Sequence, residues 1–296
     1  MTVNTVRMGW VRRCLASVVM LLLPAGASAA TLTAFASIVP VGTFVSRIGG
    51  DRVDVNVMVG PGDSPGTYDP RPRQMAALAD SQVFFRVGVP FERVWVPRIV
   101  AARPELPMID LRDGIRLRSM DGGGHGESEA VDGEFMPDPH IWTDPARVKI
   151  MAAHIRDTLV RLDPPGAAEY RANYRRFAEE LDRLDRDIRT AFAGVPGRRF
   201  MVFHPAWGYF ADAYGLTQIP IEIHGREPGP ASLAKTVARA RTIGIKAIFV
   251  QPQFSRANAE AVARAVDARV ITADLLAADY VANLRRVATA LAASLK

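Results

Sequence analysis

One long helical pattern, from Gly166 to Ala193, constrains the fold of this 296-residue chain more than any other feature. Its apolar residues recur at steps of three and four, and the positions between them are rich in Arg, Glu and Asp. The apolar stripe comprises Tyr170, Tyr174, Phe177, Leu181, Leu184, Ile188 and Phe192. This pattern predicts an amphipathic helix with one buried side. At about 1.5 Å per residue it would be roughly 40 Å long and cross a whole domain, so we place a domain junction here.

Short apolar segments alternate with helical segments on both sides of this long helix. Four strands are predicted before it and four after it: Leu32–Ile38, Val53–Val59, Val83–Val87, Met108–Asp110, Arg199–Phe203, Thr217–Ile223, Ala247–Val250 and Arg269–Thr272. The other predicted helices are Val41–Ile48, Gln74–Ala79, Glu92–Ala102, Ala146–Arg161, Ala206–Tyr214, Ser232–Thr242, Asn258–Val266 and Tyr280–Ser294. Such alternation predicts the α/β class, with parallel sheets covered by helices on both faces. We expect an N-terminal lobe over residues 31–165, a connecting helix over 166–194 and a C-terminal lobe over 195–296.

The first thirty residues have the composition of a secretory signal. Three arginines precede an apolar segment from Cys14 to Pro24, and Ala27 and Ala29 provide a small-residue cleavage site. The apolar segment is too short to span a bilayer as a permanent helix. Cys14 is the only cysteine and stands at the start of this segment, whereas a lipid-anchored cysteine would follow it. We therefore predict a cleavable signal peptide over residues 1–30, export to the periplasm and no lipid anchor.

The charge of the exported part argues against nucleic acid as a partner. The whole chain has 37 basic and 31 acidic residues, and removing the three arginines of the leader leaves 34 against 31, a net charge of +3. These charges are interspersed rather than clustered, so no nucleic-acid-binding patch is expected. The exported part also lacks cysteine, so its stability must come from its core, and we expect a monomer.

Two proline-flanked turns carry the histidines that we predict to bind a metal ion. His140 lies in Asp138-Pro-His-Ile-Trp-Thr-Asp-Pro145, and His204 lies in Phe203-His-Pro-Ala-Trp-Gly-Tyr209, on opposite sides of the long helix. Proline keeps the backbone of these turns out of helix and limits its freedom. A histidine in such a turn can simply cap it through a hydrogen bond, but two in matching surroundings favour a shared ion in a cleft.

Candidate carboxylates lie where predicted strands end. Asp274 comes two residues after the strand Arg269–Thr272, and the segment Glu222–Glu227 lies at the end of another strand. Ligands of open α/β sheets bind at these carboxyl ends, so two facing domains would bring the segments and His140 into one cleft. Two imidazoles and a carboxylate suit Zn²⁺, with Mn²⁺ or Fe²⁺ less favoured because nitrogen ligands outnumber oxygen. Asp274 alone could equally cap the turn that follows it.

From about Leu32 to its C-terminus, the chain resembles the zinc- and manganese-binding solute-binding proteins of ABC importers, the cluster A-I family. The resemblance rests on six motifs in order: Thr67-Tyr-Asp-Pro-Arg-Pro72, Asp138-Pro-His140-Ile-Trp, Phe203-His204-Pro-Ala-Trp-Gly-Tyr-Phe, Glu227-Pro228, Pro252-Gln253-Phe254 and Thr272-Ala-Asp274-Leu. It implies two four-stranded α/β lobes joined by one rigid helix, with the metal held between them. It also implies that the metal is delivered to the membrane permease of an ABC transporter.

The same resemblance assigns the metal ligands. His140 corresponds to the second histidine of the family, His204 to its third ligand and Asp274 to its carboxylate. Manganese-binding members usually have glutamate at the third position, so the histidine here favours zinc as the cargo, with manganese as the alternative.

The chain departs from the family pattern at Gly66, where the first histidine is expected. Three explanations remain open. Water can fill the coordination position, or Glu222 or His224 can provide the fourth ligand. In the third, the cleft holds another metal, a metal chelate or no metal at all.

Other functions fit parts of the same pattern. A secreted zinc hydrolase would also use two histidines, a carboxylate and an open position, with Glu222 as a general base, although no His-Glu-x-x-His helix is present. A binding protein for manganese, iron or a chelated metal is a second alternative, and a metal-free interaction or adhesion protein is a third. We expect His154 to be structural. His125, in a glycine-rich loop, either passes metal to the deeper site or is solvated without a role.

Overall fold

A computed structural model of the chain describes residues 1–2, 31–120, 137–222 and 229–296. The signal sequence beyond residue 2, His125, His224 and the Glu227-Pro228 motif lie outside the described residues. Residues Thr31–Lys296 form one compact unit. In the described part of the chain, none of the helices has the length and apolar character needed to cross a membrane.

The N-terminal lobe is built on a four-stranded parallel sheet. Its elements are β1 (Leu32–Ile38), α1 (Val39–Gly49), β2 (Val53–Val59), α2 (Pro72–Ala79), β3 (Val83–Arg86), α3 (Pro90–Ala102) and β4 (Met108–Asp110). The strand order is β2-β1-β3-β4, and β1 pairs in parallel with β2 from Leu32↔Val53 to Ile38↔Val59. Every residue of β1 except Thr33 is buried, as expected for a strand covered by helices on both faces.

The C-terminal lobe repeats this arrangement. Its elements are β5 (Arg199–Val202), α6 (Gly208–Tyr214), β6 (Thr217–Pro220), α7 (Pro230–Ile243), β7 (Ala247–Val250), α8 (Arg256–Val266), β8 (Arg269–Thr272) and α9 (Tyr280–Ser294). The strand order is β6-β5-β7-β8 and all pairs are parallel. The order reverses between the first and third strand of each sheet, between β1 and β3 and between β5 and β7. In open α/β sheets such a reversal leaves a crevice at the carboxyl ends of the strands.

Along the chain, two helices separate the strands of the two sheets. They are α4 (Pro145–Leu162) and the long helix α5 (Ala167–Phe192), whose 26 residues span about 39 Å at ~1.5 Å each. The predicted apolar stripe of α5 is buried except for Tyr174, which is half-buried, and Asn173 joins it by donating a hydrogen bond to Ile48 O (2.9 Å). The prediction of two four-stranded parallel sheets with one long helix between them is confirmed.

One hydrophobic cluster runs through both lobes. It includes buried residues of β1 and β3, the inner faces of α4 and α5, and residues of β5, α6 and α9. Phe44 of α1 meets Tyr280 of α9 edge-to-face, with ring centroids 5.0 Å apart. A second, smaller cluster fills the space between the C-terminal sheet and the helices α7 and α8. The two lobes therefore share a core rather than meeting only at a linker.

Candidate metal centre

His140 lies in a rigid turn between the N-terminal sheet and α4. It follows Pro139 and immediately precedes a single 3₁₀ turn, Ile141–Thr143. Its carbonyl accepts a hydrogen bond from Thr143 Oγ1 (2.9 Å), and Asp144 caps α4 by accepting from Ala146 N (2.8 Å). Only 8% of His140 is exposed. The backbone on both sides of the ring is thus fixed by local hydrogen bonds and by proline.

Asp138 determines which nitrogen of His140 is free. Its Oδ1 accepts from the His140 backbone N (3.0 Å) and lies 2.7 Å from His140 Nδ1. A carboxylate oxygen accepts here, so the ring proton is on Nδ1 and the lone pair of Nε2 is available to a metal. Burial lowers the pKa of His140 and outweighs the attraction of Asp138, which raises it. The imidazole is therefore neutral at neutral pH, as a metal ligand must be.

His204 lies at the crevice of the C-terminal sheet. It comes two residues after the end of β5, beside the point where the strand order reverses towards β7. The residues that follow β7 hold it in place. Gln251 Nε2 donates to His204 O (3.2 Å), and the ring of Phe254 stacks on the imidazole with centroids 4.9 Å apart and planes 19° apart.

Glu222 does for His204 what Asp138 does for His140. Glu222 lies two residues after β6 and is almost completely buried, and its Oε2 is 2.6 Å from His204 Nδ1. Its backbone N donates to Phe203 O (2.9 Å), which fixes the carboxylate beside the ring. The ring proton of His204 is again on Nδ1, so Nε2 is free. The negative charge of Glu222 also raises the pKa of His140, so this carboxylate acts on both histidines.

The two imidazoles lie close together, as the turns predicted. Their ring centroids are 5.4 Å apart and their planes are inclined by 74°. Two imidazoles bound to one tetrahedral zinc, at Zn–N distances of about 2.0–2.1 Å, have centroids roughly 5 Å apart. The separation thus fits a shared ion.

Asp274 has no contact with either ring among the described interactions. It follows β8 by two residues, and its Oδ1 accepts from Leu276 N (2.9 Å), the turn-capping contact that the sequence also allowed. Its neighbour Leu275 accepts a hydrogen bond from Trp142 Nε1 (2.9 Å), and the Trp142 ring centroid is 5.2 Å from that of His140. One tryptophan therefore joins the Asp274 segment to the His140 turn.

Across residues 31–120, 137–222 and 229–296, no group of three or more His, Cys, Asp or Glu side chains is arranged to hold a metal. The ligand set His140, His204 and Asp274, with Glu222 or His224 as a fourth member, therefore stays a prediction.

Gly66 occupies an exposed position in the loop after β2. Its N donates to Ser64 Oγ (3.3 Å), and a Cβ built on it would have that oxygen, 3.5 Å away, as its nearest neighbour. A side chain would fit here, so the glycine is not required by packing. His154 has the structural role expected of it, since its Nε2 donates to Asp113 O (2.9 Å).

Sequence reasoning missed the two orienting carboxylates. Asp138 is the first residue of the motif that contains His140. Its position two residues before His140, across a proline, is typical of a side chain that accepts a hydrogen bond from its own turn. The sequence indicates Glu222 only as a ligand or a base, because its contact with His204 depends on β6 pairing with β5.

Comparison with known proteins finds relatives whose names refer to metal binding or uptake. A manganese-binding lipoprotein, MntA, of Halalkalibacterium halodurans is 28% identical over 71% of this chain and 67% of its own length. A high-affinity zinc uptake system protein, ZnuA, of Paracoccus denitrificans is 32% identical over 60% of this chain, and the match spans 62% of that protein.

A crystal structure of ZnuA superposes on 90% of this chain and on all of its own, with a TM-score of 0.82 and 37% identity. The family model described as zinc-uptake complex component A, periplasmic, matches residues 35–294, which include both histidine turns and the long helix between them. With this match over nearly the whole chain, and with two lobes and paired histidines in the expected places, the chain belongs to the ZnuA family.

Proposed function

We propose that this protein captures Zn²⁺ in the periplasm and delivers it to the membrane permease of an ABC importer. The observation that carries this proposal is the pair of imidazoles 5.4 Å apart, each with its Nδ1 against a buried carboxylate. Such carboxylate–histidine pairs orient the ring and increase its basicity towards a metal. Membership of the ZnuA family supports zinc, and nitrogen ligands favour it over harder ions.

His140 and His204 bind the ion through Nε2, and Asp274 provides the third ligand by releasing or sharing its contact with Leu276 N. Glu222 orients His204 through Oε2, which leaves the fourth position to water or to His224; as a ligand itself, Glu222 would have to release His204 Nδ1. Because Gly66 offers no side chain, the N-terminal lobe contributes only His140 to this set.

Manganese is the second candidate cargo, because a relative at 28% identity is a manganese-binding lipoprotein. A metal chelate is a third, since an open coordination position accepts a small ligand of the ion. Two imidazole ligands favour zinc over manganese, because manganese prefers oxygen ligands.

The protein acts as a carrier and not as an enzyme. A zinc hydrolase would need a general base that reaches the metal-bound water, and Glu222 instead places Oε2 on His204 Nδ1. The exported chain is a monomer without a lipid anchor, which begins after a signal peptide over residues 1–30. It comprises an N-terminal lobe over 31–165, a connecting helix over 166–194 and a C-terminal lobe over 195–296.

Metal analysis and competition binding test the proposal. Protein purified without chelator is expected to contain about one zinc per chain, and the metal-free protein should take zinc from a fluorescent chelator in preference to manganese. H140A, H204A and D274A should each weaken binding. H154A is the matched control, since His154 bonds to Asp113 O and should leave the affinity unchanged.

A chain that binds no zinc, or whose affinity is the same in H140A and H204A as in the unaltered protein, contradicts the proposal. Preferential uptake of manganese selects the second candidate. Release of product from a chromogenic ester or peptide by zinc-loaded protein would favour the hydrolase.

A further inference from the structure

Arg118 stands beside the carboxylate that orients His140. Its Nη1 lies 3.4 Å from Asp138 Oδ2, while the other oxygen of Asp138 faces the His140 ring. Asp138 is fully buried, and a buried carboxylate is costly unless a cation or several hydrogen bonds compensate it. Among the described contacts, Arg118 provides the only cation that reaches Asp138. It therefore holds one carboxylate oxygen while the other holds the imidazole.

The same arginine also reaches the C-terminal lobe. Its Nε lies 3.1 Å from Asp212 Oδ2 on α6, an ion pair in which the N–H is not directed at the oxygen. Its backbone N donates to Tyr209 Oη (3.1 Å), and Tyr209 Oη donates to Asp138 O (3.0 Å). The guanidinium of Arg147, on α4, lies over the Tyr209 ring, 4.6 Å from its centroid. One side chain of α6 is thus enclosed by the segments that carry Asp138 and Arg118.

Gly208 makes room for this arrangement. A Cβ built on Gly208 would overlap Nη1 of Arg118 and lie 2.9 Å from Asp138 Oδ2. Gly208 is the first residue of α6 and comes four residues after His204. The turn that carries the second histidine therefore has no side chain where the orienting carboxylate of the first histidine and its arginine must fit.

We propose that Arg118 is a positioning residue of the metal site. It fixes Asp138 so that His140 keeps its proton on Nδ1, and it ties this assembly to α6, which begins just after His204. The two histidine turns are thereby held in register by one guanidinium that touches neither ring. This inference rests on the proposed function only for its effect on metal affinity; its effect on the His140 ring can be measured without metal.

Two measurements on R118A test the proposal. Long-range ¹H–¹⁵N spectra of the imidazoles at neutral pH, with His140 assigned by its loss in H140Q, report which nitrogen carries the proton. In the unaltered metal-free protein we expect the Nδ1–H form, and in R118A a mixture of both tautomers. We also expect R118A to lower zinc affinity about tenfold, at the lower end of the range for outer-shell partners. R116A is the matched control, because Arg116 is exposed two residues away, and it should change neither readout.

Three further variants separate positioning from folding. R118K keeps a cation beside Asp138 and should retain most of the zinc affinity. D212N removes only the ion pair between Arg118 and α6, and it should lower the affinity by the share that this ion pair contributes. G208A leaves every charge in place but displaces the guanidinium, so it should reproduce the effects of R118A. In the R118A background the G208A change should then add little, because residues in contact are not additive.

Unchanged His140 tautomer and zinc affinity within twofold in both R118A and G208A would overturn the proposal. If R118A fails to fold, G208A and R118K decide it on the same two readouts. If the unaltered protein binds no zinc, the proposed function fails, while the tautomer in metal-free R118A still supports or overturns the role of Arg118.

Discussion

The two lobes have the same sheet order and therefore two equivalent crevices, but they fill them differently. In the N-terminal lobe, between β1 and β3, the crevice is sealed by Glu92 of α3, which is 2% exposed. Its carboxylate accepts from Ser37 Oγ (2.6 Å), Val87 N (3.0 Å) and Gly88 N (2.8 Å). In the C-terminal lobe, between β5 and β7, the crevice presents His204 with its Nε2 free.

This difference shows that topology locates a crevice without assigning it a use. Glu92 satisfies the backbone amides at its own strand end and leaves nothing for a ligand. At the other crevice, Glu222 contacts only one ring nitrogen of His204, and no contact among the described residues occupies the other. The second imidazole then comes from a turn outside the N-terminal sheet altogether. Strand ends are therefore a guide to a binding site only when the side chain there has an unused polar atom.

Removing the central side chain of each crevice, His204 or Glu92, gives the largest expected effects. H204A should lower zinc affinity more than about 100-fold, beyond what outer-shell partners contribute. It should lower the free energy of unfolding of metal-free protein by about 1–2 kcal/mol, because the buried Glu222 carboxylate loses its contact with the ring. E92A should do the reverse, with a loss of about 3 kcal/mol because three buried donors lose their acceptor. Zinc competition and urea denaturation measure both; a large loss of stability in H204A, or of zinc binding in a folded E92A, would break the comparison.

Variants of the two orienting carboxylates, Asp138 and Glu222, test the comparison of the crevices further. D138A and E222A should each lower zinc affinity about 10–100-fold, the usual range for partners of metal-bound histidines. E222Q should lose less, since its amide oxygen can still accept from His204 Nδ1 and preserve the tautomer. The same competition assay measures all three variants. If E222A binds as tightly as the unaltered protein, Glu222 is not the partner of a metal-bound histidine.

Adding a ligand to the N-terminal lobe should produce a moderate gain. G66H introduces an imidazole where the family resemblance places its first histidine, and the nearest atom to a new Cβ is Ser64 Oγ at 3.5 Å. We expect zinc affinity to rise about tenfold, close to the 1.4 kcal/mol that a tenfold change represents. G66A is the control for the change in backbone. No gain in G66H would mean that this loop does not reach the ion.

The smallest effect is a pH dependence confined to the sealed crevice. Burial raises the pKa of Glu92 above its ordinary value of 4.5, despite its three donors. The folded state therefore holds this proton more tightly than the unfolded chain, so the stabilisation is present below pH 4.5 and lost as pH rises through the folded pKa. The Tm of the unaltered protein minus that of E92Q should fall from pH 4.5 to pH 7.5. A difference that is constant or increases with pH contradicts the prediction.

All eight predicted strands begin where expected, but β3, β5 and β6 end one to three residues early, and the helix ends were predicted less well. Fully buried parallel strands are continuous apolar segments, and Leu32–Ile38 and Ala247–Val250 were predicted with their observed bounds. Six helices begin one or two residues earlier than predicted, at Val39, Pro72, Pro90, Pro145, Pro230 and Arg256. In the first five, a proline lies at the first or second helical position, which it suits because its missing N–H needs no partner there.

The site could be predicted only in part. Prolines beside His140 and His204 identified two rigid turns, and the 5.4 Å between the rings confirms that these turns meet. The contacts of Arg118 with Asp138 and Asp212 could not be predicted, because they join residues 20 and 94 positions apart through an interface between lobes. No periodicity or motif in a single sequence records which helix will pack against which turn.

The hydrophobic cluster that passes beneath both sheets has a consequence for unloading. Swinging the halves apart like a clamshell would expose apolar surface such as the Phe44–Tyr280 contact, at a cost of about 25 cal/mol for each Å². We therefore expect an ion bound by the proposed site to leave through local distortion of the two short histidine turns. On this expectation, release of the ion leaves the shared core of the two lobes intact.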